Sequence, residues 1–254
     1  MKNTLIKAAR EAGIILKNNF EGSFLISSKD VISNLVTEVD KMSENKIIEI
    51  IKNDFPEHNI VSEEAGELFQ ESDFKWIIDP IDGTVNYAHS IPLTCVSIAI
   101  EKNNEIIMGV VFNPMSDEFF ISEKNSGAFL NEKKIKVSDC SNIEKSLLVT
   151  GFPYNSASFK PDPLNVFSKF IKRDLPIRRL GSAALDLCWT ACGRFDGFWE
   201  YNLNAWDVAA GVLILNEAGG RVTNLKGNEF SVYEKEILAT NGLIHDKMVE
   251  VINS

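Results

Sequence analysis

The stretch that most constrains this chain is Trp76-Ile77-Ile78-Asp79-Pro80-Ile81-Asp82-Gly83-Thr84-Val85-Asn86-Tyr87. Its apolar opening reads as a buried strand. Pro80 has no backbone N–H, so the strand is predicted to end there. Asp79 and Asp82 stand three residues apart around that proline. The Ile81 carbonyl is free once the strand stops. Gly83 allows close backbone approach, and Thr84 offers a hydroxyl and an N–H at a predicted helix start. Read alone, this is an Asp-Pro…Asp-Gly turn. It is also a place to hold hard cations against a phosphate.

Other acids add to it. Asn59-Ile60-Val61-Ser62 is predicted to be a strand that delivers Glu63 and Glu64 at its end. Adjacent residues of an extended chain face opposite sides, so only one of the two can be a direct ligand. Asp207 lies in Asn204-Ala205-Trp206-Asp207-Val208-Ala209-Ala210-Gly211 and is predicted to begin the helix 208–218, stopped by Gly219-Gly220. An acid in a first helical turn also serves the helix dipole.

The formal net charge of −10 disfavours nucleic-acid or anionic-membrane partners. It also leaves a phosphate site without a dense cluster of Lys or Arg, which bound divalent cations would remedy. No run approaches a membrane span, and Met1-Lys2-Asn3-Thr4-Leu5 leads into an amphipathic helix, so a cytoplasmic location is the expectation. Cys95, Cys140, Cys188 and Cys192 follow no disulfide spacing and read as free thiols. His58, His89 and His245 are scattered, which gives a soft-metal site little support.

Along the chain, residues 3–19 read as a helix. Thr37 and Asp40 form a capping pair for a second helix reaching about Asn53, with Val39, Met42, Ile47, Ile50 and Ile51 inward. Residues 94–101 and 105–112 read as strands of a hairpin, continued as an antiparallel meander by 118–122 and 128–130. A second lobe is expected from Ser138, giving subdomains 1–137 and 138–254. In it Gly181 and Ser182 open a helix running to about Cys192, and Asp196–Glu200 is a strand.

The segments Trp76–Tyr87 and Trp206–Gly220 resemble the two signatures of the inositol monophosphatase family of magnesium-dependent, lithium-sensitive phosphatases. The resemblance runs over nearly the whole length. It implies a mixed α and β fold, a layered α-β-α-β-α sandwich of the inositol monophosphatase and fructose-1,6-bisphosphatase type. It also implies two or three Mg²⁺ ions. Glu63, Asp79 and the Ile81 carbonyl would hold one and Asp79, Asp82 and Asp207 a second, with a weaker third by Glu63. A water on the Glu63 side would be the nucleophile, oriented by Thr84, whose hydroxyl contacts Asp40. The N–H groups of Gly83 and Thr84 would meet phosphate oxygens. Asp82 and Asp207 would also face the substrate. Gly181, Ser182 and Ala183 would line the alcohol pocket, and Glu200, seven residues before Asp207, would accept polyol hydroxyls. Lys29 matches a lysine near the family site, and Asn34 stands where many relatives carry Asp.

The function so implied is hydrolysis of inositol monophosphate, or of a similar polyol or sugar phosphate, by metal-activated water. Arg178 and Arg179 keep a second phosphate open, and with it a fructose-1,6-bisphosphatase or nucleotide bisphosphate phosphatase. A non-catalytic regulatory binding protein is the alternative of another class. Its mark would be a lost ligand or a lost Thr84, and none is lost. A homodimer is implied by resemblance alone.

Overall fold

The computed structural model describes residues 1–22, 26–28, 35–153, 159 and 162–254. The readings made of Lys29 and Asn34 lie outside the described residues. The first half runs α1 (Lys2–Asn19), β1 (Ile26–Ser28), β2 (Leu35–Thr37), α2 (Glu38–Asp54), β3 (Asn59–Ser62), β4 (Gly66–Leu68), β5 (Phe74–Asp82), α3 (Thr84–Ala88), β6 (Cys95–Lys102), β7 (Glu105–Asn113), β8 (Glu118–Glu123), β9 (Ala128–Leu130) and β10 (Lys133–Lys134). The second runs β11 (Leu148–Thr150), α4 (Pro163–Ile171), β12 (Ile177–Arg178), α5 (Ala183–Ala191), β13 (Gly197–Tyr201), α6 (Ala205–Glu217), β14 (Arg221–Thr223), β15 (Glu236–Thr240) and α7 (His245–Asn253).

Strand alternation sorts the core into layers. In an eight-stranded sheet ordered β10-β9-β8-β7-β6-β5-β3-β4, Trp76, Ile78, Val96, Ile98 and Val110 face α1 and α2. Their neighbours Ile77, Cys95, Ala99 and Val111 face the opposite way, onto α5 and α6. A five-stranded sheet, β12-β11-β13-β15-β14, closes on the other side of those helices. Its Val149, Phe198 and Ala239 join the same central core, whereas Leu148, Trp199 and Leu238 face α4 and α7. The period of two therefore produces one α-β-α-β-α sandwich from two sheets buried on both faces. Residues up to 134 build the first sheet and residues from 148 build the second.

Close approach holds the middle together. A Cβ on Gly109 of β7 would stand 2.9 Å from the Ala210 Cα of α6. One on Gly211 would stand 2.7 Å from the Leu187 Cβ of α5. Two missing methyl groups thus bring sheet, α6 and α5 into contact.

Three expectations need correction. Strand β5 does not end at Pro80. It runs to Asp82 through an irregularity in which Asp79 pairs with Ser97 and Asp82 with Cys95. The missing N–H is absorbed by a bulge, not by a strand end. Met42 is not inward but 48% exposed, because the buried face of α2 continues through the polar Asp40, Ser43 and Glu44. Helix α6 starts at Ala205, so Asp207 is in the first turn as expected but is the third residue of the helix and does not open it.

Candidate active site

Four segments meet at one edge of the sandwich. Their residues line a cavity of about 260 Å³, with Glu63, Asp79, Asp82, Thr84, Asp207 and Arg179 among its walls. Local chemistry explains how each is delivered.

Asp79 and Asp82 sit on the bulge. The Asp79 Oδ1 accepts from the Ile81 N–H at 3.0 Å, which tightens the bulge around its own carboxylate. Three donors converge on Asp82 Oδ2: the Ser182 hydroxyl at 2.6 Å, the Ala184 N–H at 2.8 Å and the Cys95 thiol at 3.8 Å. The first turn of α5 is therefore clamped to β5 through one carboxylate oxygen. Gly83, at φ 90°, turns the chain into α3 where a Cβ would stand 2.8 Å from the Leu93 carbonyl. That left-handed conformation costs glycine little. Asn86 donates to the Leu93 and Leu180 carbonyls, both at 2.8 Å, and ties the turn to the segment bearing Arg179 and Gly181.

Asp207 reaches back to the Asn204 N–H at 2.6 Å, as the third residue of a capping box does. The carbonyl of Trp206 accepts from Ser97, the cross-strand neighbour of Asp79. Asp40 does the same for α2, taking the Thr37 N–H at 2.8 Å and hydroxyl at 2.6 Å on Oδ2. Its Oδ1 faces the Thr84 hydroxyl at 3.2 Å, and that hydroxyl also has the Ile81 carbonyl at 2.9 Å.

The electrostatics are those of crowded acids. Burial, then the charges of Glu63, Asp82 and Asp207, hold Asp79 well above the usual carboxylate range. Burial likewise raises Asp207. Burial pushes Asp82 up to about 6 against the pull of Ser182 and Ala184, and Asp40 up to about 6 against Thr37. Glu200, behind the cavity, is pushed up to about 8 by burial and by Asp82 and Asp207.

The residues named from the sequence are placed unequally. Glu63, Asp79, Ile81, Asp82, Gly83, Thr84, Gly181 and Asp207 line the cavity. Ser182 and Ala183 are buried and do not, and the Ser182 proton goes to Asp82. Arg179 lines the cavity; Arg178 is exposed and turns to the Ile177 carbonyl. Sequence reasoning missed Glu44, Ser43 and Asp186. Asp186 is 1% exposed with neither carboxylate oxygen hydrogen-bonded among the described residues, and burial followed by Glu200 raises its pKa well above the ordinary value. Its only signal was an acid four residues after Ser182, hence on the same helical face.

Four carboxylates against one guanidinium is a wall that repels a phosphate unless cations intervene. Among the described residues no three His, Cys, Asp or Glu side chains close into a ready ligand cluster, so the acids line the cleft and do not converge on a point. The donor set, carboxylates and a backbone carbonyl, is the one that hard divalent cations take. A two-sheet sandwich with such a cleft defines a class of phosphate-handling proteins.

The chain belongs to the inositol monophosphatase family, whose sequence model matches residues 1–254. It is 40% identical to the Nus factor SuhB of Haemophilus influenzae over 99% of this chain and 95% of that one. It is 38% identical to the fructose-1,6-bisphosphatase/inositol-1-monophosphatase of Thermotoga maritima, over 98% and 94%. The solved inositol monophosphatase of Anabaena superposes with a TM-score of 0.89, at 41% identity, over 99% and 94%. The family and the relatives named as phosphatases mark the protein as a phosphatase acting on a small phosphorylated substrate, in a family that is generally metal-dependent. Among the described residues no helix is long and apolar enough to cross a membrane.

Proposed function

We propose that the protein is a Mg²⁺-dependent phosphomonoesterase that hydrolyses an inositol monophosphate, or a similar polyol phosphate, to the alcohol and inorganic phosphate. The observation that carries this reading is the cavity wall itself: Glu63, Asp79, Asp82 and Asp207 together, with Arg179 as the cation among the lining residues. Glu63, Asp79, the Ile81 carbonyl, Asp82 and Asp207 would hold two or three ions. Bound Mg²⁺ would offset the charge of the phosphate and lower the pKa of an attacking water.

The chain's own groups do the rest. The Thr84 hydroxyl, between Asp40 and the Ile81 carbonyl, orients the attacking water. Asp40, with a pKa near 6, is able to take a proton passed through Thr84 close to neutral pH. The N–H groups of Gly83 and Thr84 meet phosphate oxygens. Ser182 and the Ala184 N–H hold Asp82 in place. At the alcohol end, Gly181 lines the pocket, Ser182 and Ala183 back it from the buried start of α5, and Glu200, behind the cavity wall, would accept hydroxyls of a substrate that reaches it. Lithium sensitivity, a cytoplasmic homodimer and a division of the chain at 137/138 into two subdomains belong to the same proposal.

Arg179 in the cavity wall supports a second reading, in which the substrate carries a second phosphate, as the name of the Thermotoga relative would allow. Phosphate release from inositol 1-phosphate, fructose 1,6-bisphosphate, adenosine 3′,5′-bisphosphate and histidinol phosphate, with and without Mg²⁺ and Li⁺, separates the readings. Mg²⁺-dependent, Li⁺-inhibited release led by inositol phosphate is the expected outcome. A bisphosphate in the lead keeps the metal site and overturns the pocket assignment. Folded protein that turns over none of them moves the reading toward regulatory binding, in line with the name of the Haemophilus relative. Asp82→Asn is expected to abolish turnover with the circular dichroism spectrum unchanged.

A further inference from the structure

Helix α2 carries a polar stripe on its buried face. Thr37, Asp40, Ser43 and Glu44 are 2%, 0%, 0% and 4% exposed. At spacings of three, four and seven they share one side of the helix. Hydrophobic packing does not account for them, since Val39, Ile47, Ile50 and Ile51 supply the apolar contacts of the same helix.

Thr37 caps the helix, and the other three each bond a different part of the site. Asp40 takes the Thr84 hydroxyl. Ser43 donates to the Pro80 carbonyl at 3.0 Å, midway along the bulge between Asp79 and Asp82. Glu44 Oε1 accepts from the Ser62 hydroxyl, from the Glu64 N–H at 3.1 Å and from the Ala65 N–H at 2.9 Å.

The accounting of backbone donors explains the last set. Strand β3 pairs with β5 as far as Ser62 and Ile78, and the Glu63 N–H still reaches the Ile78 carbonyl at 3.2 Å. Beyond that point the chain leaves the β5 ladder, and its next two N–H groups need acceptors away from that strand. Glu44 supplies one oxygen for both and adds Ser62. Charge-assisted bonds of this kind are the strong ones. Glu63 is thereby flanked on both sides by groups anchored to α2, and so is the bulge.

We propose that Glu44, seconded by Ser43, is a positioning residue that fixes the Glu63 loop relative to the Asp79–Asp82 bulge and so sets cation affinity in the cleft, touching neither substrate nor ion itself. The inference rests on the reading of the cleft as a divalent-cation site. It makes α2 a common gauge for two ligand-bearing segments that the sheet alone leaves loose at their ends.

The test uses the full-length protein with Mn²⁺ as the probe, read by electron paramagnetic resonance and titration calorimetry, together with thermal melts and phosphate release. Glu44→Ala is expected to weaken Mn²⁺ binding by about 10-fold or more, the scale on which outer residues act on metal sites. The metal concentration for half-maximal turnover is expected to rise in parallel, with kcat at saturating metal changing by less than about 3-fold, since no ligand is removed. Glu44→Gln keeps an acceptor oxygen and is expected to remain within about 3-fold of wild type, whereas Ser43→Ala shifts Mn²⁺ affinity the same way by less. Wild-type Mn²⁺ affinity in folded Glu44→Ala overturns the proposal. So does an equal loss in Glu44→Gln, which would make charge and not placement the cause. If Glu44→Ala does not fold, Ser43→Ala with unchanged affinity overturns it. Wild-type protein that binds no Mn²⁺ in the cleft sinks the underlying reading instead.

Discussion

Two aspartates hold the same local post and do different work. Asp40 is the third residue of α2 and accepts from the Thr37 N–H at 2.8 Å; Asp207 is the third residue of α6 and accepts from the Asn204 N–H at 2.6 Å. In both, one oxygen closes the helix start and the other is left over. What differs is what the fold brings to the second oxygen. Asp40 is fully buried and meets the Thr84 hydroxyl. Asp207 opens onto the cavity beside Asp79 and Asp82. A capping box thus delivers a carboxylate at a fixed angle, and the tertiary neighbours decide whether it becomes a hydrogen-bond acceptor or a candidate cation ligand.

Asp207→Asn keeps an oxygen for the Asn204 N–H but loses the charge. We expect turnover to drop by more than about 10²-fold, the upper range for residues that act only from behind a metal site, with the melting temperature unchanged or raised. A folded variant with near-normal phosphate release would remove Asp207 from the site. Asp40→Asn should cost less, about 10- to 100-fold, because it disturbs the orientation of Thr84 and not a cation. Equal losses in the two variants would mean that the two aspartates serve the site in the same way.

The third contrast is in pH. An acid whose folded pKa is raised stabilises the fold at pH below its unfolded value and loses that contribution as pH rises through the folded one. Asp40 and Asp82 are raised from 3.8 to about 6, so metal-free protein should lose stability between about pH 4 and 6. Glu200, raised to about 8, extends the decline. Melting curves across that range should fall, Asp40→Asn should flatten part of the fall, and Mg²⁺ above pH 7 should raise the melting temperature through binding to the folded state. A metal-free protein most stable at pH 8 would contradict this. The smallest effect is Thr37→Ala, which removes the cap of α2 and should cost about 1 kcal/mol in urea unfolding.

Much of this was legible in the sequence. The apolar run before Asp79, the alternating strands of the meander and the two long motifs led to the sandwich and to most of the cavity wall. Other features were not legible, for identifiable reasons. The bulge at Pro80 depends on Ser97 and Cys95 of the neighbouring strand, which set the register. Ser182 looked like a cap and a pocket residue, and only the packing of α5 on β5 spends its proton on Asp82. Glu44 sat in a helix as an ordinary acid until the loop after Ser62 was seen to need acceptors. Asp186 gave only its spacing from Ser182, since its oddity is the absence of hydrogen-bond partners among the described residues.

The narrow contact at Gly109 has a further consequence. Asp207 rides on α6, while Asp79 and Asp82 ride on the sheet that α6 touches at Gly109. The bore of the cleft is therefore machined far from the cleft, by a missing side chain in the middle layer. An alanine there would act as a shim, prying one wall of acids from the other without altering any residue that meets the substrate. Selection on catalysis would then be felt as selection on a glycine with no chemistry of its own, and a graft of the two acidic motifs into another sandwich would fail unless that clearance travelled with them.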